Sequence, residues 1–210
     1  MVRVVAMADT HGHHATIDVP DGDVLVHAGD LTARGTLPQL RAVADWLAAQ
    51  PHRHKVVIAG NHDFALQRQP GPARALFTDA GLTYLEDEEV TLDGLRVYGS
   101  PWQPWFHDWA FNRRRGPDID TCWRRIPTGL DLLVTHGPPA GFGDRCYDGR
   151  RVGCADLLAR IVERRPRFHL FGHIHEDGGR WDDGVTTFVN VTTADDTRPC
   201  TVLDVSSAPG

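Results

Sequence analysis

The sequence lacks a C-x-x-C pair, an apolar run long enough to cross a membrane, a secretory leader, an internal repeat and a low-complexity tract. Each lack excludes something. Cys122, Cys146, Cys154 and Cys200 are scattered without the spacing of a thiolate zinc site. With no leader, the expectation is reduced thiols in a cytoplasm and no membrane partner. Positive charge is not in excess either: the formal net charge is −6 and the pI is near 6.0. That argues against a dedicated nucleic-acid binder, whose footprint is a basic face. Arginines do cluster at 113–115, 124–125, 150–151 and 164–165, and such runs are ordinarily solvated surface. With no linker, the 210 residues read as a single domain over 1–210, long enough for a sizeable core. The composition, 41% hydrophobic and 24% charged, is that of a soluble globular chain. What the chain does have in plenty is histidine, with 12 copies.

The apolar runs are short, and five of them stop at polar turns. Residues 3–8 stop at Asp9-Thr10-His11, and 23–28 run into Gly29-Asp30. Residues 55–59 run into Gly60-Asn61-His62-Asp63, 130–135 into His136-Gly137, and 168–171 into Gly172-His173-Ile174-His175. Each reads as a buried strand. Between them, 38–49 place Leu40, Val43, Ala44 and Leu47 on one helical face, with Pro38 suited to a first turn. A second helix is expected over about 72–80, closing at Gly81. A third is expected over 152–164, with Leu157, Leu158, Ile161 and Val162 as its apolar face, and a helical turn or two over 120–125. Asp93-Gly94 between 89–92 and 95–98 predicts a hairpin. Two late strands are expected at 186–191 and 201–205. The early order is β-α-β, with a right-handed crossover and a largely buried sheet. Residues 99–116 form a long stretch too aromatic for disorder and too long to be structureless without a function. The class is α/β.

The polar residues at the strand ends make a set: Asp9, His11, Asp30, Asn61, His136, His173 and His175. Carboxylate, amide and imidazole donors without cysteine suit Mn²⁺, Fe or Zn²⁺, with Mg²⁺ also open. Asp9-x-His11 and His173-x-His175 are i, i+2 pairs, whose side chains point the same way from an extended terminus. Two ions about 3.5–4 Å apart clamp the attacking and leaving oxygens of a phosphoryl displacement. Such a pair needs an anionic bridge, and Asp30 is the candidate. Singly, each motif is weak, since a lone histidine after a strand is more often structural. The ordered set D-x-H, G-D, G-N-H-D, H-G and G-H-x-H is specific.

That set resembles the calcineurin-like metallophosphoesterase superfamily over essentially the whole chain. The stretches from Gly99 to Phe106, Trp109 to Asn112, Thr135 to Pro139 and Phe171 to Glu176 also resemble the metallophosphoesterase-domain-containing proteins related to the fetal-brain 239 protein. The resemblance implies a four-layer α-β-β-α sandwich, two mixed sheets flanked by helices, with a dinuclear site at the carboxyl ends of the strands. It implies that Asp9, His11 and His175 hold one metal, that Asn61, His136 and His173 hold the other, and that Asp30 bridges them, manganese being the expected ion. It implies that His62 protonates the leaving alkoxide, with Asp63 orienting it, and that a bridging hydroxide attacks phosphorus. The expected activity is a phosphodiesterase acting on small, cyclic-nucleotide-like esters. A phosphomonoesterase or nucleotidase on the same site, and a non-catalytic scaffold of this fold, are the alternatives. Arg34 stands where the G-D-x-x-D-R-G motif of protein phosphatases has its arginine, but Ala33 replaces the aspartate. Arg34 either binds a phosphate oxygen or is an exposed loop residue. Trp102 or Trp105 either walls a pocket on which a base stacks or caps the core, and His107 lies between them and Trp109 as a leaving-group contact. His13 and His14 are expected in an exposed loop, and Asn190 in a supporting role. Oligomeric state stays open, a homodimer included.

Overall fold

Strand β1 (Val2–Met7) is buried on both faces, and this decides the layering. Val2, Val4 and Ala6 point one way, into a core shared by two sheets, while Val5 and Met7 point the other way, toward helices. The structure, a computed structural model, describes residues 1–194 and 197–206. After β1 come β2 (Val24–Ala28), α1 (Leu37–Ala48), β3 (His54–Ile58), α2 (Phe64–Arg68), α3 (Pro70–Asp79), β4 (Thr83–Tyr84), β5 (Glu88–Leu92) and β6 (Leu95–Ser100). The aromatic stretch carries β7 (Gln103–Pro104) and β8 (Asn112–Arg113). The remainder is α4 (Pro117–Trp123), β9 (Leu132–Thr135), α5 (Ala155–Arg164), β10 (Phe168–Phe171), β11 (Gly179–Asp182), β12 (Thr187–Asn190) and β13 (Thr201–Val205).

One sheet runs β13-β1-β2-β3-β4, with β13 antiparallel at its edge and the other four parallel. The second runs β11-β12-β10-β9-β6-β5, with parallel central strands and antiparallel edges. Between the sheets lie Val4, Val26, Ile58, Val97, Val134 and Leu170. Outside the first sheet, Leu40, Val43 and Leu47 of α1 and Phe77 of α3 cover Val5, Leu25 and Val57. Outside the second, Ile119 and Trp123 of α4 and Leu157 and Ile161 of α5 cover Leu133, Phe171 and Phe188. This is the expected four-layer sandwich of two mixed sheets flanked by helices. The hairpin forms at Asp93-Gly94, with Leu92 opposite Leu95.

Local chemistry explains the helix boundaries. α1 begins at Leu37 because Thr36 caps it, its side chain accepting from Gln39 N while Gln39 Oε1 accepts from Thr36 N. α5 begins at Ala155, after Cys154 Sγ accepts the Leu157 N–H. Val162 does not join its buried stripe and is 63% exposed, since Leu157 and Ile161 set the face and Val162 is rotated about 100° from Ile161. The sequence reading missed α2, β4 and β11, short elements held by their neighbours rather than by a pattern of their own. No helix among the described residues is long and apolar enough to cross a membrane.

The carboxyl ends of the two sheets meet. Ala8 pairs with Thr192, Thr193 N donates to the Ala8 carbonyl, and His136 Nδ1 donates to the Ala28 carbonyl. The polar turns after β1, β2, β3, β9 and β10 therefore converge on one region.

Candidate metal centre

The turns after β1 and β2 run side by side. Asp9 N donates to Gly29 O, His11 N to Asp30 O and Gly12 N to Leu31 O, each at 3.0 Å. Asp9, His11, Asp30 and His173 all have positive φ, at 57°, 44°, 54° and 71°. This is sparsely populated backbone for residues with a Cβ, and it persists where surrounding contacts over-determine it. Glycines supply the close approach. A Cβ on Gly60 would strike Asp30 and His136, and one on Gly172 would strike Ala8 and Asp9.

Asp30 occupies the middle. Its Oδ1 accepts the His62 N–H at 2.8 Å. Its Oδ2 lies 3.4 Å from His136 Nε2, 3.7 Å from His11 Nε2 and 4.0 Å from His62 Nε2. On one side, His175 Nε2 is 3.8 Å from Asp9 Oδ1 and 3.3 Å from His11 Nε2. On the other, His136 Nε2 is 2.9 Å from Asn61 Oδ1, and the His136 and His173 rings are 5.0 Å apart. Asp9, His11 and His175 form one group of donors close enough to share an ion, and Asp30, His136 and His173 form another. His136 Nδ1 donates to the Ala28 carbonyl at 3.0 Å, which leaves Nε2 to face the centre. The Asp9 carboxylate accepts the His173 N–H at 3.0 and 2.9 Å, fixing the turn that carries the last two histidines.

The donor set fits a cation. Asp9 is 0% exposed and Asp30 2%, and among the described residues no lysine or arginine pairs with either; the charged groups that face them are imidazoles and each other. Buried carboxylates without a counter-charge are strongly disfavoured. Burial raises the Asp9 carboxyl. Burial also pushes the Asp30 carboxyl up, but His136, His11 and His62 outweigh it and hold Asp30 well below the carboxylate range. His136 feels burial downward, and Asp30 and Asp9 carry it up to about 9. Loss of solvent and the His136 charge lower the half-buried His173 to about 3, so it stays neutral.

His62 sits beside this cluster. Its Nδ1–H donates to the Ala33 carbonyl at 3.0 Å, and its ring packs 4.1 Å from Trp109. The expectation that Asp63 orients His62 is corrected: Ala33 and Trp109 do so. Asp63 is buried and spends its carboxylate on Gly60 N, Leu31 N, Thr32 N and Thr32 Oγ1, which ties the G-D turn to the G-N-H-D turn. Burial and the Asp30 charge push the Asp63 carboxyl up to about 6.

The remaining candidates divide. Trp105 and His107 line a cavity next to the cluster. Trp102 does not reach it: its Nε1 donates to Asp87 at 3.0 Å, and its ring lies against Phe111 and under the Arg113 guanidinium. Arg34 is exposed and lines no cavity described here, its N–H donating to Gln39. His13 lines the cleft over the cluster, while His14 lies 5.2 Å from Trp46. Asn190 supports the loops, donating to the carbonyls of Gly143, Ile174 and Asp177. Sequence reasoning passed over Trp109 as the aromatic at the site and over the 141–153 loop. Nothing local marked Trp109 among the tryptophans; only the tertiary path of Ala110, whose N–H donates to the Asn61 carbonyl, brings it there.

Comparison with known proteins follows the same lines. The calcineurin-like phosphoesterase family model matches residues 2–177. Metallophosphoesterase domain-containing protein 1 of Homo sapiens is 41% identical over 215 residues, covering 90% of this chain, and the Mus musculus protein gives the same figures. The chain spans only 65% of the length of those two proteins. A Caenorhabditis elegans relative is 36% identical, over 92% of this chain and 76% of its own. Among solved structures, TT1561 of Thermus thermophilus superposes with a TM-score of 0.66 at 12% identity, over 98% of this chain and 99% of its own, a likeness of fold alone. Sequence family, sandwich and donor cluster agree: the chain belongs to the calcineurin-like phosphoesterase family.

Proposed function

We propose that the protein is a metal-dependent phosphodiesterase acting on small phosphate esters, cyclic nucleotides being the class its resemblance suggests. The observation that carries this reading is the position of Asp30 Oδ2, 3.4 Å from His136 Nε2 of one donor group and 3.7 Å from His11 Nε2 of the other, with His62 Nε2 at 4.0 Å. Asp9, His11 and His175 would hold one divalent ion, Asn61, His136 and His173 the other, and Asp30 would be shared. Bound there, the pair would supply Lewis-acid stabilisation of phosphoryl charge and acidify a water molecule. Manganese is the first ion to try.

The protein's own residues do the rest. The Ala33 carbonyl can only accept, so His62 Nδ1 carries a proton and Nε2 is the nitrogen that faces the cleft. His62 gives its Nε2 proton to the leaving alkoxide and remains the Nδ1–H tautomer. Trp109 holds the ring plane during that transfer. Diester preference is supported by the cleft's lining, which includes histidines, Asp30, Asn61, Phe106 and Trp109 but no lysine or arginine to meet a terminal dianionic phosphate. The test is hydrolysis of bis(p-nitrophenyl) phosphate against p-nitrophenyl phosphate with Mn²⁺, Zn²⁺, Fe²⁺ and Mg²⁺ in turn. The expected result is a higher kcat/KM for the diester. A higher value for the monoester overturns the diesterase reading, and no turnover with any ion at full metal occupancy overturns the enzyme reading.

A further inference from the structure

Positive charge without a partner gathers at one place away from the donor cluster. A pocket of about 420 Å³ lies where the sandwich stands open, between the edge strands β11 and β13. Arg180 and Arg198 line it and no carboxylate does. Elsewhere in this acidic chain Arg74, Arg125, Arg160 and Arg167 all have carboxylate partners. Among the described residues, Arg180 and Arg198 make no ion pair. No residue that lines this pocket also lines the cleft over the cluster.

Strand alternation puts Arg180 there. It stands opposite Val189 in the β11–β12 register, and Val189 belongs to the core between the sheets. Its neighbour Trp181, opposite Phe188, packs into the outer layer instead. Arg180 therefore lies on the inter-sheet face, at its open edge. Across the opening, β13 turns Leu203 into the same core, and Thr201, two residues earlier, shares that face. Thr201 is half-buried, and its hydroxyl makes no hydrogen bond among the described residues.

Arg198 is held in place. Its N–H donates to the Thr193 carbonyl at 2.9 Å, and Nη2 donates to the Glu176 carbonyl at 3.4 Å. Gly178 leaves room for the guanidinium, which a Cβ there would strike. The Gly178 backbone, at φ −68° and ψ 133°, is open to any residue, so the missing side chain spares the arginine rather than the turn. Two guanidiniums from separate walls and a free hydroxyl offer more charge and more donors than one carboxylate can use. A tetrahedral dianion matches both, since each planar fork can meet two oxygens at once. The volume is in the range of small-molecule sites and leaves space for an organic group against Val189, Val202 and Pro199.

We propose that this pocket is an oxyanion site for phosphate or a phosphate monoester, separate from the metal centre and independent of its ions. Arg180 and Arg198 grip the phosphate oxygens from opposite walls, and Thr201 donates its hydroxyl. The site stands apart from the phosphodiesterase reading, since neither arginine has a part in turnover.

The experiment uses the full chain, isotope-labelled at arginine, and follows each guanidinium Nε–H signal by NMR. Inorganic phosphate, methylphosphonate, acetate and chloride are titrated in turn at constant ionic strength. One series contains Zn²⁺, and a second follows its removal by chelation. The Arg180 and Arg198 signals are identified by their loss in Arg180→Gln and Arg198→Gln. The expected result is a saturable shift of both signals with phosphate and with methylphosphonate, equal in the two series, and none with acetate or chloride. Arg180→Gln and Arg198→Gln should each raise the phosphate Kd about 10-fold or more, read from the signal that remains, the worth of one charge-assisted hydrogen bond. Gly178→Ala should do the same by displacing Arg198. Arg53→Gln, whose guanidinium pairs with Asp93, should leave the Kd unchanged. An absent or unsaturable shift, an equal response to acetate or chloride, or a shift that vanishes without Zn²⁺ overturns the site. Unchanged affinity in Arg180→Gln and Arg198→Gln overturns it as well.

Discussion

Asp30 and His62 are joined by one hydrogen bond: the His62 N–H donates to Asp30 Oδ1 at 2.8 Å, leaving Oδ2 4.0 Å from His62 Nε2. The shared carboxylate of the proposed centre thus positions the backbone of the proposed acid. The two roles must be separated by substitutions that spare this bond.

His62→Ala keeps its N–H and so leaves Asp30 in place. Metal content measured by elemental analysis should equal that of the parent. Turnover of a diester with an alkoxide leaving group should fall about 10²–10⁴-fold, the range of a general acid. A p-nitrophenolate leaving group needs less protonation and should suffer less. Equal losses with both leaving groups would assign His62 to phosphoryl binding instead.

Asp30→Asn keeps an Oδ1 acceptor for His62 and removes the charge shared between the donor groups. The fold, followed by circular dichroism, should persist, while both metals are lost or bound far more weakly. Retention of two ions per chain would show that Asp30 is not their bridge.

Asp63→Ala tests a structural assignment. It strips acceptors from Gly60 N, Leu31 N, Thr32 N and Thr32 Oγ1, all in a buried setting. An orphaned buried donor costs about 1–3 kcal/mol, so a net loss of about 3 kcal/mol is expected. For a chain of this size that is a fall in Tm of about 6–12 °C. If Asp63 instead oriented His62, Asp63→Asn would lower kcat while leaving Tm unchanged.

The contrast between Asp30 and Asp63 shows which parts of the molecule the sequence discloses. Asp30 is legible because it ends a strand next to a glycine and is echoed by four similar strand ends. The strands themselves are legible because a buried strand is a short apolar run, as 168–171 is for β10, and an edge strand alternates buried and exposed residues, as 201–205 does for β13, both matching residue for residue. The partners of Asp63 are 31 and 32 residues away at Thr32 and Leu31, and no local pattern announces them. Trp102 and Trp109 are alike in sequence, yet Asp87 draws one away and the Asn61 carbonyl, through Ala110, draws the other in. The 141–153 loop has neither apolar period nor strand length. It exists because Asp144 and Asp177 pin its base, a tertiary fact.

Acid sensitivity should arise in part from His169, away from the cluster. Thr135 Oγ1 donates to the Gly137 carbonyl and so accepts from His169 Nε2 at 2.8 Å, which leaves His169 Nδ1 buried without a partner. Burial lowers His169 to about 3, against the usual 6.5 of an imidazole. Below pH 6.5 the unfolded chain takes up a proton at this position that the folded chain refuses, so stability falls as pH drops from 6.5 toward 3 and is unaffected above 6.5. At pH 5 this one group removes about 2 kcal/mol relative to neutral pH. His27, also lowered to about 3 by burial, acts in the same direction. Urea midpoints for the parent and for His169→Gln, measured from pH 7.5 to 4.5, isolate the contribution of His169. The variant is expected to be less stable at pH 7.5, having lost the Thr135 bond, but to lose stability less steeply below pH 6.5 by about one proton. Parallel pH profiles for the two proteins would show that His169 is protonated in the folded state.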